Sequence, residues 1–388
     1  MGVNSLAGVG AISAQPQSLN VLHVLRAPVG GLFRHVRDLA RGQAALGHRV
    51  GIIMDASTGG GQADAALADL SPELALGVSR VPMSRQIGLR DVSAVLHVGR
   101  RAASAAADVL HGHGAKGGAY ARLAGHRRAI RAYTPHGGSL HYGWGSPMGF
   151  VYLSLERLLI GRTDLFLFES AYGRDVFRTK VGNPGELARV VHNGVAAAEF
   201  EPVATDPQAS DLVFVGELRA LKGVDVLISA IAHLGREGLR LSATIVGEGP
   251  DRAAFEAQAR AEVMAGSVRF VGTKLARSAF AMGRLLVVPS RAESLPYIVL
   301  EAAAAGVPLI TTRVGGIPEI FGPDSADLVA PGDPAALAQT IALRLRDLGA
   351  TRAAGVRLQA RVREKFSVQA MTEGVLTAYR AALARPHG

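Results

Sequence analysis

The chain has 388 residues, of which 48% are hydrophobic, and it carries a formal net charge of +10 with no cysteine. This length predicts two or three domains, each with an apolar core. The lack of cysteine excludes disulfides, thiolate nucleophiles and cysteine-ligated zinc, and it favours a reducing compartment such as the cytoplasm.

The charge is unevenly distributed along the chain. Residues 1–200 carry 21 Lys and Arg against 13 Asp and Glu. A basic half predicts an acidic partner, such as a phosphorylated lipid, an anionic membrane surface or nucleic acid. Because no periodic aromatic or basic helix indicates base reading, we do not expect nucleic acid as a partner.

Two segments bear on targeting. Residues 1–18 are small and polar and lack the basic start of a signal peptide, so we expect them to be disordered. The longest apolar region, Phe150–Phe168, is interrupted by charged residues and falls short of a bilayer span. We therefore expect a cytoplasmic protein, or one that is peripheral to the inner face of the plasma membrane.

The first elements predict a doubly wound α/β sheet. A strand, Asn20–Arg26, runs through a glycine loop into a helix, Leu32–Leu46, whose apolar residues recur at helical spacing. A second strand, Val50–Met54, follows. Ligands of such sheets bind at the carboxyl ends of the strands. Gly30 and Gly31 in the loop are therefore candidates for close approach to a ligand, although a simple tight turn uses the same residues.

Histidines recur near the ends of the next strands. His111 and His113 end a short strand in a glycine turn, and His136 follows the next strand in the run Tyr133–Gly138. Imidazoles offer hydrogen bonds and a proton acceptor near neutral pH, although a lone histidine is often core or surface filler. The first two histidines resemble a metal pair, but no third ligand follows at a usable spacing, so we expect no metal. His35, on the helix after the glycine loop, faces either the ligand cleft or solvent.

A basic cluster, Arg122, Arg127, Arg128 and Arg131, lies between the two histidine loops. An apolar stretch, Phe150–Leu159, comes soon after it. The cluster is either a solvated face or a site for an anionic acceptor or a membrane headgroup.

A proline-containing linker separates two domains. The predicted segments are a disordered start, a first domain, a linker, a second domain and a final helix, at residues 1–18, 19–197, 198–210, 211–366 and 367–388. The second domain begins with a buried strand that ends at Gly216, and Arg219 and Lys222 follow it. Two cations at this place suit a diphosphate, although a lysine at a helix start also serves solubility alone.

The stretch Pro289–Ile320 predicts a strand end, a helix, a strand, a glycine turn and a second helix. We expect Ser294 to cap the first helix and Pro296 to open its first turn. Glu293 lies just before this helix and Glu301 about 7 Å along its axis. The free amides between them form an anion site. A nucleotide-sugar, with phosphates between two sets of hydroxyls, suits this arrangement, although acids at helix starts are also common without a ligand.

This stretch resembles the donor-sugar motif of the family-four retaining glycosyltransferases, with Glu293, seven intervening residues, Glu301 and then AAAAGVPLITTRVGGIPEI. The Thr-x-His-Gly element at 134–137 and the Asn-Gly-Val segment at 193–195 extend the resemblance over nearly the whole chain. It implies the GT-B fold, in which two doubly wound, Rossmann-like domains face each other across a cleft and a final helix packs back towards the first domain. One position departs from the family, which has arginine where Glu217 stands here.

The resemblance implies specific roles. His136 would lie beside the donor sugar, Glu293 would hold hydroxyls of that sugar, and Glu301 would hold the ribose. The expected catalytic residues are His136, Glu293, Lys222 and Arg219. The expected donor-binding residues are Gly30, Gly31, Gly216, Gly247, Glu248, Gly272, Thr273, Lys274, Ser294, Leu295, Pro296, Tyr297 and Glu301. The expected acceptor-side residues are His35, His111, His113, Lys116, Arg127 and Arg128.

The implied activity is retaining transfer of a sugar from a nucleotide-sugar co-substrate to a hydroxyl acceptor, such as a lipid-linked sugar, in polysaccharide or glycolipid synthesis. We expect no further cofactor and no metal, because the sequence has no Asp-x-Asp pair. Two other classes remain open. One is a nucleotide-sugar epimerase or hydrolase on the same architecture, and the other is a non-catalytic module that binds a nucleotide-sugar or nucleic acid.

Overall fold

A computed structural model of the protein describes residues 18–84, 86, 88–124 and 128–385. The first half forms a seven-stranded parallel sheet in the order β3-β2-β1-β4-β5-β6-β7. Its strands are β1 Asn20–Leu25, β2 Arg49–Asp55, β3 Gly77–Val81, β4 Val109–His113, β5 Ile130–Thr134, β6 Leu165–Phe168 and β7 Ala188–Val190. Its helices are α1 Gly30–Ala45, α2 Gly60–Leu70, α3 Arg90–Ser104, α4 Gly114–Leu123, α5 Pro147–Leu158 and α6 Ala171–Lys180.

The second half forms a five-stranded parallel sheet in the order β10-β9-β8-β11-β12. Its strands are β8 Ser210–Val215, β9 Ala243–Val246, β10 Val268–Phe270, β11 Gly283–Val288 and β12 Leu309–Thr311. The remaining helices are α7 Val224–Arg236, α8 Arg252–Glu262, α9 Ala276–Phe280, α10 Tyr297–Ala304, α11 Ile317–Phe321, α12 Pro334–Arg346, α13 Leu348–Lys365 and α14 Val368–Leu383.

The central strands of both sheets are largely buried because helices cover both faces. In β11, for example, Leu285 and Val287 pack on one side, against α7, and Leu286 and Val288 pack on the other, against α10. Both sheets have the doubly wound strand order expected from the sequence, and the two-domain α/β fold is confirmed.

The last helix, α14, belongs to the core of the first sheet and not to that of the second. Met371, Val375 and Tyr379 are buried against Leu19 and Val109 of the first half. The Tyr379 hydroxyl also donates a hydrogen bond to His111 Nδ1 at 2.7 Å. The two ends of the chain are therefore built into one core.

The basic cluster does not form one surface. Arg122 is 1% exposed, stacks over the Tyr133 ring and donates a hydrogen bond to Glu156 at 2.8 Å. Its burial corrects the expectation of a solvated or acceptor-binding arginine, because a buried carboxylate neutralises it inside the core. Arg131 pairs with Asp164, while Arg127 lies outside the described residues. Among the described helices, none combines the length and the apolar character that crossing a bilayer requires.

Candidate active site

A cleft with a cavity of about 520 Å³ lies between the carboxyl ends of the two sheets. The glycine loop after β1 forms one wall, and the segments after β8 and β11 form the other. The residues predicted from sequence that line it are Gly30, Gly31, His136, Gly216, Arg219, Lys222, Glu293, Ser294, Leu295, Pro296 and Tyr297. Parallel sheets bring these distant segments together because all their strands end on the same side.

Lys222 and Glu293 form an ion pair in the wall of the cleft. Lys222 Nζ donates to Glu293 Oε1 at 2.7 Å, and the Ser290 hydroxyl donates to the same oxygen at 2.7 Å. Glu293 is 9% exposed, whereas about a quarter of the Lys222 side chain stays accessible. Gly223 has a φ of 70°, and any side chain there would overlap the carbonyl of Pro289. This close approach fixes the lysine beside the segment after β11, which carries Glu293.

The helix after Glu293 begins later than the sequence suggests. It starts at Tyr297, with Pro296 as the residue before its first turn and no side chain capping it. The prediction that Ser294 caps this helix is wrong, because its hydroxyl donates to Glu169 Oε1 of the first domain at 2.6 Å. The amides of the first turn have no partner within the helix. They therefore remain available to an anion in the cleft, which Leu295 and Tyr297 also line.

The two remaining charged residues of the predicted donor site differ in their surroundings. Arg219 is half exposed and pairs with Glu217 at 3.1 Å, so its guanidinium lies at the rim of the cleft. Glu301 does not line the cavity, is 7% exposed and forms an ion pair with Arg34 of α1. Arg34 also donates to Glu199 at 2.9 Å and lies over the Tyr297 ring. In this conformation the carboxylate expected to hold ribose instead binds the first domain to the second.

A second group of predicted donor-binding residues lies at the ends of β9 and β10, outside the cavity lining. The Gly247 amide donates to the Gly272 carbonyl at 2.8 Å. Gly247 has a φ of 146°, and a side chain there would overlap the carbonyl of Gly216. Glu248 pairs with Arg252, and Thr273 and Lys274 are exposed. These residues lie outside the lining of the cleft. That they contact a donor remains a prediction.

His136 reaches the cleft through an unusual backbone conformation. Its φ is 51°, in the left-handed region that few residues other than glycine adopt. In this conformation the imidazole of His136 lies against His113, with His136 Nε2 3.1 Å from His113 Nδ1. Burial lowers the pKa of His136 to about 3, so the ring is neutral at pH 7. Conformations of this kind often occur at functional sites.

Four buried histidines, His23, His35, His111 and His113, form one cluster with His136. His23 and His113 share a hydrogen bond of 3.0 Å, and burial lowers the pKa of His23 to about 4. His35 is buried and bonded to Asn193, and burial together with the proximity of His136 lowers its pKa to about 3. His23 brings a third imidazole to the His111 and His113 pair, which sequence spacing did not reveal, because the pairing of β1 with β4 places it beside them.

The other residues predicted on the acceptor side lie in three different surroundings. His111 has both ring nitrogens hydrogen-bonded inside the core, to Thr134 and Tyr379, and lines none of the described cavities. Lys116 binds Asp91 at 2.7 Å and lines two cavities of the first domain. Arg128 is exposed on the surface.

Sequence reasoning missed the residues that join the domains. Besides Arg34, these include Glu169, which accepts from Ser294. Asn193, which belongs to the Asn-Gly-Val segment identified in the sequence, also joins the domains, because its Nδ2 donates to the Leu295 carbonyl at 3.0 Å. Glu319 of α11 accepts from the amides of Ala171 and Tyr172 at the start of α6. Glu169 follows an apolar strand directly, a position at which a polar residue indicates a site.

Two family profiles match the chain. The profile described as "Glycosyltransferase Family 4" matches residues 29–199, and that described as "Glycosyl transferases group 1" matches residues 209–347. The glycogen synthase of Mycobacterium tuberculosis is 28% identical over 383 residues, which cover 91% of this chain and 92% of that protein. A D-inositol 3-phosphate glycosyltransferase of Catenulispora acidiphila is 35% identical over 201 residues, which cover 47% of each chain.

Solved structures with this fold include a glycosyltransferase from Rickettsia africae, with a TM-score of 0.78 and 16% identity, covering 96% of this chain and 100% of that one. Anabaena HepE in complex with UDP-glucose has a TM-score of 0.75 and 19% identity, covering 94% and 100%. At these identities the likeness concerns the fold alone.

Proposed function

The chain belongs to the GT-B glycosyltransferases and transfers a sugar, and from this premise we propose that it is a retaining, metal-independent hexosyltransferase. Its donor is a nucleotide-sugar and its acceptor is a hydroxyl group on an amphipathic, lipid-linked sugar. Such a reaction serves the synthesis of polysaccharides or glycolipids.

One observation carries the proposal. Lys222, Glu293 and the free amides before and within the first turn of α10 line the same cleft as His136 of the opposite domain. A cation and backbone dipoles on one wall suit the diphosphate of a donor. The carboxylate beside them accepts hydrogen bonds from hydroxyls, as sugar recognition requires. The complex of Anabaena HepE with UDP-glucose supports a nucleotide-sugar as the ligand of this fold.

The proposed reaction breaks the bond between the anomeric carbon and the diphosphate oxygen. Lys222, Arg219 and the amides stabilise the negative charge that develops on the departing diphosphate. The acceptor hydroxyl attacks from the same face, and the leaving oxygen takes its proton. The anomeric configuration is then retained without a covalent enzyme intermediate. Both cations and the amides belong to the protein, so the charge is neutralised without a metal ion.

A thermal-shift panel of nucleoside diphosphates and their sugars tests the donor site. Ligand at 100 times its Kd stabilises the folded state by about 2.7 kcal/mol, which raises Tm by a few degrees. We expect one base to give this rise and Lys222→Ala to reduce it. No shift with any nucleotide at millimolar concentration would overturn the donor assignment. Release of free sugar at the full rate without an acceptor would instead indicate a hydrolase.

Three neighbouring cavities support an amphipathic acceptor. The donor cleft shares Leu32 with a cavity of about 260 Å³ that Arg26 and Ser139 also line. That second cavity shares Lys116 and Tyr152 with an apolar cavity of about 410 Å³. A polar head in the middle cavity would therefore reach the donor while an apolar chain lies in the outer one.

The helices α3 and α5, which line the outer cavity, also carry exposed apolar side chains. Leu96 of α3 is 57% exposed and Phe150 of α5 is 60% exposed. Arg157 and Arg162 are exposed near the end of α5. Apolar side chains flanked by cations are typical of proteins that lie on anionic membranes.

Co-sedimentation with vesicles tests this surface. We expect the protein to bind vesicles that contain phosphatidylglycerol, and binding to decrease at high salt because the charge attraction is screened. Phe150→Asp should weaken binding at least about tenfold, since a charge replaces an inserted ring. Leu343→Asp is the matched control, because Leu343 is 63% exposed on α12 of the second domain. Equal binding to uncharged vesicles, or equal loss in both variants, would contradict the membrane assignment.

A further inference from the structure

Three imidazoles meet at the floor of the cleft. His35 comes from α1, His113 from the end of β4 and His136 from the loop after β5. One ring nitrogen of each lies within 4.8 Å of those of the other two. His35 and His113 are buried, and His136 is partly exposed to the cleft. The group is therefore enclosed by protein but reachable from one side.

The proton position on His35 follows from its neighbours. Asn193 Nδ2 donates to the Leu295 carbonyl at 3.0 Å, so Asn193 Oδ1 faces His35 Nδ1 at 2.9 Å. An amide oxygen accepts only, so Nδ1 carries the proton and Nε2 carries a lone pair. His35 Nε2 is buried and has no hydrogen-bond partner among the described residues. Metal-binding histidines take this form, with the other ring nitrogen donating to an oxygen of the protein.

A second chain of hydrogen bonds determines which ring nitrogen of His113 carries the lone pair. His23 Nε2 donates to Gln43 Oε1 at 2.9 Å, so His23 Nδ1 accepts from His113 Nε2 at 3.0 Å. His113 Nδ1 is then unprotonated and faces His136 Nε2 at 3.1 Å. Two independent chains thus present two lone pairs to one small volume, and His136 borders the same volume.

We propose that His35, His113 and His136 form a binding site for a transition-metal dication of the Zn²⁺ type, with a fourth position open to the cleft. Zinc bonds of about 2.0–2.1 Å place tetrahedral ligand nitrogens about 3.4 Å apart. The ring nitrogens of the three histidines lie within 4.8 Å of one another, and rotation of the rings about their side-chain bonds would bring them to this spacing. The proton on His136 moves from Nε2 to Nδ1, so the site gains its third lone pair without releasing a proton.

The alternative group of His23, His111 and His113 is a poorer site. His111 Nε2 is bonded to Thr134 at 2.8 Å and His111 Nδ1 to Tyr379 at 2.7 Å. An ion there would break a satisfied hydrogen bond of the fully buried His111, whereas the proposed site breaks only the bond between His113 and His136, because His35 Nε2 has no partner among the described residues. An ion at the proposed site holds His136 away from the donor, so it inhibits sugar transfer.

Titration of the chelator-treated full-length protein with Co²⁺, and then with Zn²⁺, tests the site without any sugar donor. We expect one ion per chain, visible absorption bands of tetrahedral Co²⁺ and displacement of Co²⁺ by Zn²⁺. His35→Gln should weaken binding at least about tenfold. If His35→Gln unfolds because its site is buried, His136→Gln at the partly exposed position should show the same loss of metal binding.

Two control variants define the outcome. His233→Gln, on α7, should bind as the unchanged protein does, since His233 pairs only with Glu237 at 3.3 Å among the described residues. His111→Gln should also retain the ion, because neither of its nitrogens is a proposed ligand. Absence of the absorption bands, binding unaffected by both His35→Gln and His136→Gln, or loss of binding in His111→Gln alone would overturn the proposal. Because the readout is binding, it is independent of whether the donor assignment holds.

Discussion

Replacing Lys222 with alanine should lower kcat for sugar transfer by about 100- to 1000-fold, the usual loss when one preorganised charge donor is removed from a transition state. The Lys222 ammonium is the cation nearest Glu293 in the cleft wall, at 2.7 Å from its carboxylate. It would contact the departing diphosphate once the donor is bound. Since charge on that oxygen grows as the bond breaks, kcat should fall more than KM rises.

Initial-rate kinetics with a saturating acceptor measures this effect, and Lys365→Ala is the control. Lys365 is exposed at the end of α13, away from the cleft lining. Its removal should leave both constants unchanged. Thermal unfolding of both variants shows whether the fold is intact. Transfer at the unchanged rate by folded Lys222→Ala protein would contradict the assignment of the diphosphate site.

Replacing Gly315 with alanine should destabilise the protein by at least about 3 kcal/mol and abolish donor binding. Gly315 has a φ of 58°, which by itself costs any other residue about 1–2 kcal/mol. A Cβ atom there would also overlap the carbonyl oxygen of Glu293. A backbone atom cannot rotate away, so the segment that carries Glu293 must move and the cleft wall with it.

Gly266→Ala separates the two causes. Gly266 has a φ of 85°, but a Cβ atom there has no neighbour within 4 Å among the described residues. This variant should lose only the roughly 1–2 kcal/mol of stability that the positive φ costs, and it should keep donor binding. Urea unfolding gives the stability of each variant, and nucleotide binding by calorimetry gives the effect on the cleft. Equal effects of the two substitutions would show that contact with Glu293 is unimportant.

The sheet and the motif segments were predictable because their signals are local. The predicted strands Asn20–Arg26 and Val50–Met54 agree with β1 and β2 to within one residue at each end, since an apolar run determines each. Lys222 and Glu293 are 71 positions apart, yet both follow the end of a strand in the same parallel sheet. The topology alone therefore indicates that they meet.

Side chains whose partners lie far along the chain were not predictable in this way. The sequence around Arg122 predicts an exposed charge, because the carboxylate that neutralises it, Glu156, lies 34 positions later. Ser294 reads as a helix cap because the competing acceptor, Glu169, belongs to the other domain. The imidazole cluster depends on the register that places Leu25 opposite His113. No short spacing in the sequence encodes such contacts.

The burial of α14 in the first core has a consequence for biosynthesis. A ribosome delivers the first domain long before the residues that complete its core, because Met371, Val375 and Tyr379 follow the whole second domain in the chain. At 5–20 residues per second, this delay is roughly 10–40 s. During this time the nascent first half has an apolar groove open to solvent and to chaperones. The second domain is therefore synthesised before the core of the first domain is complete.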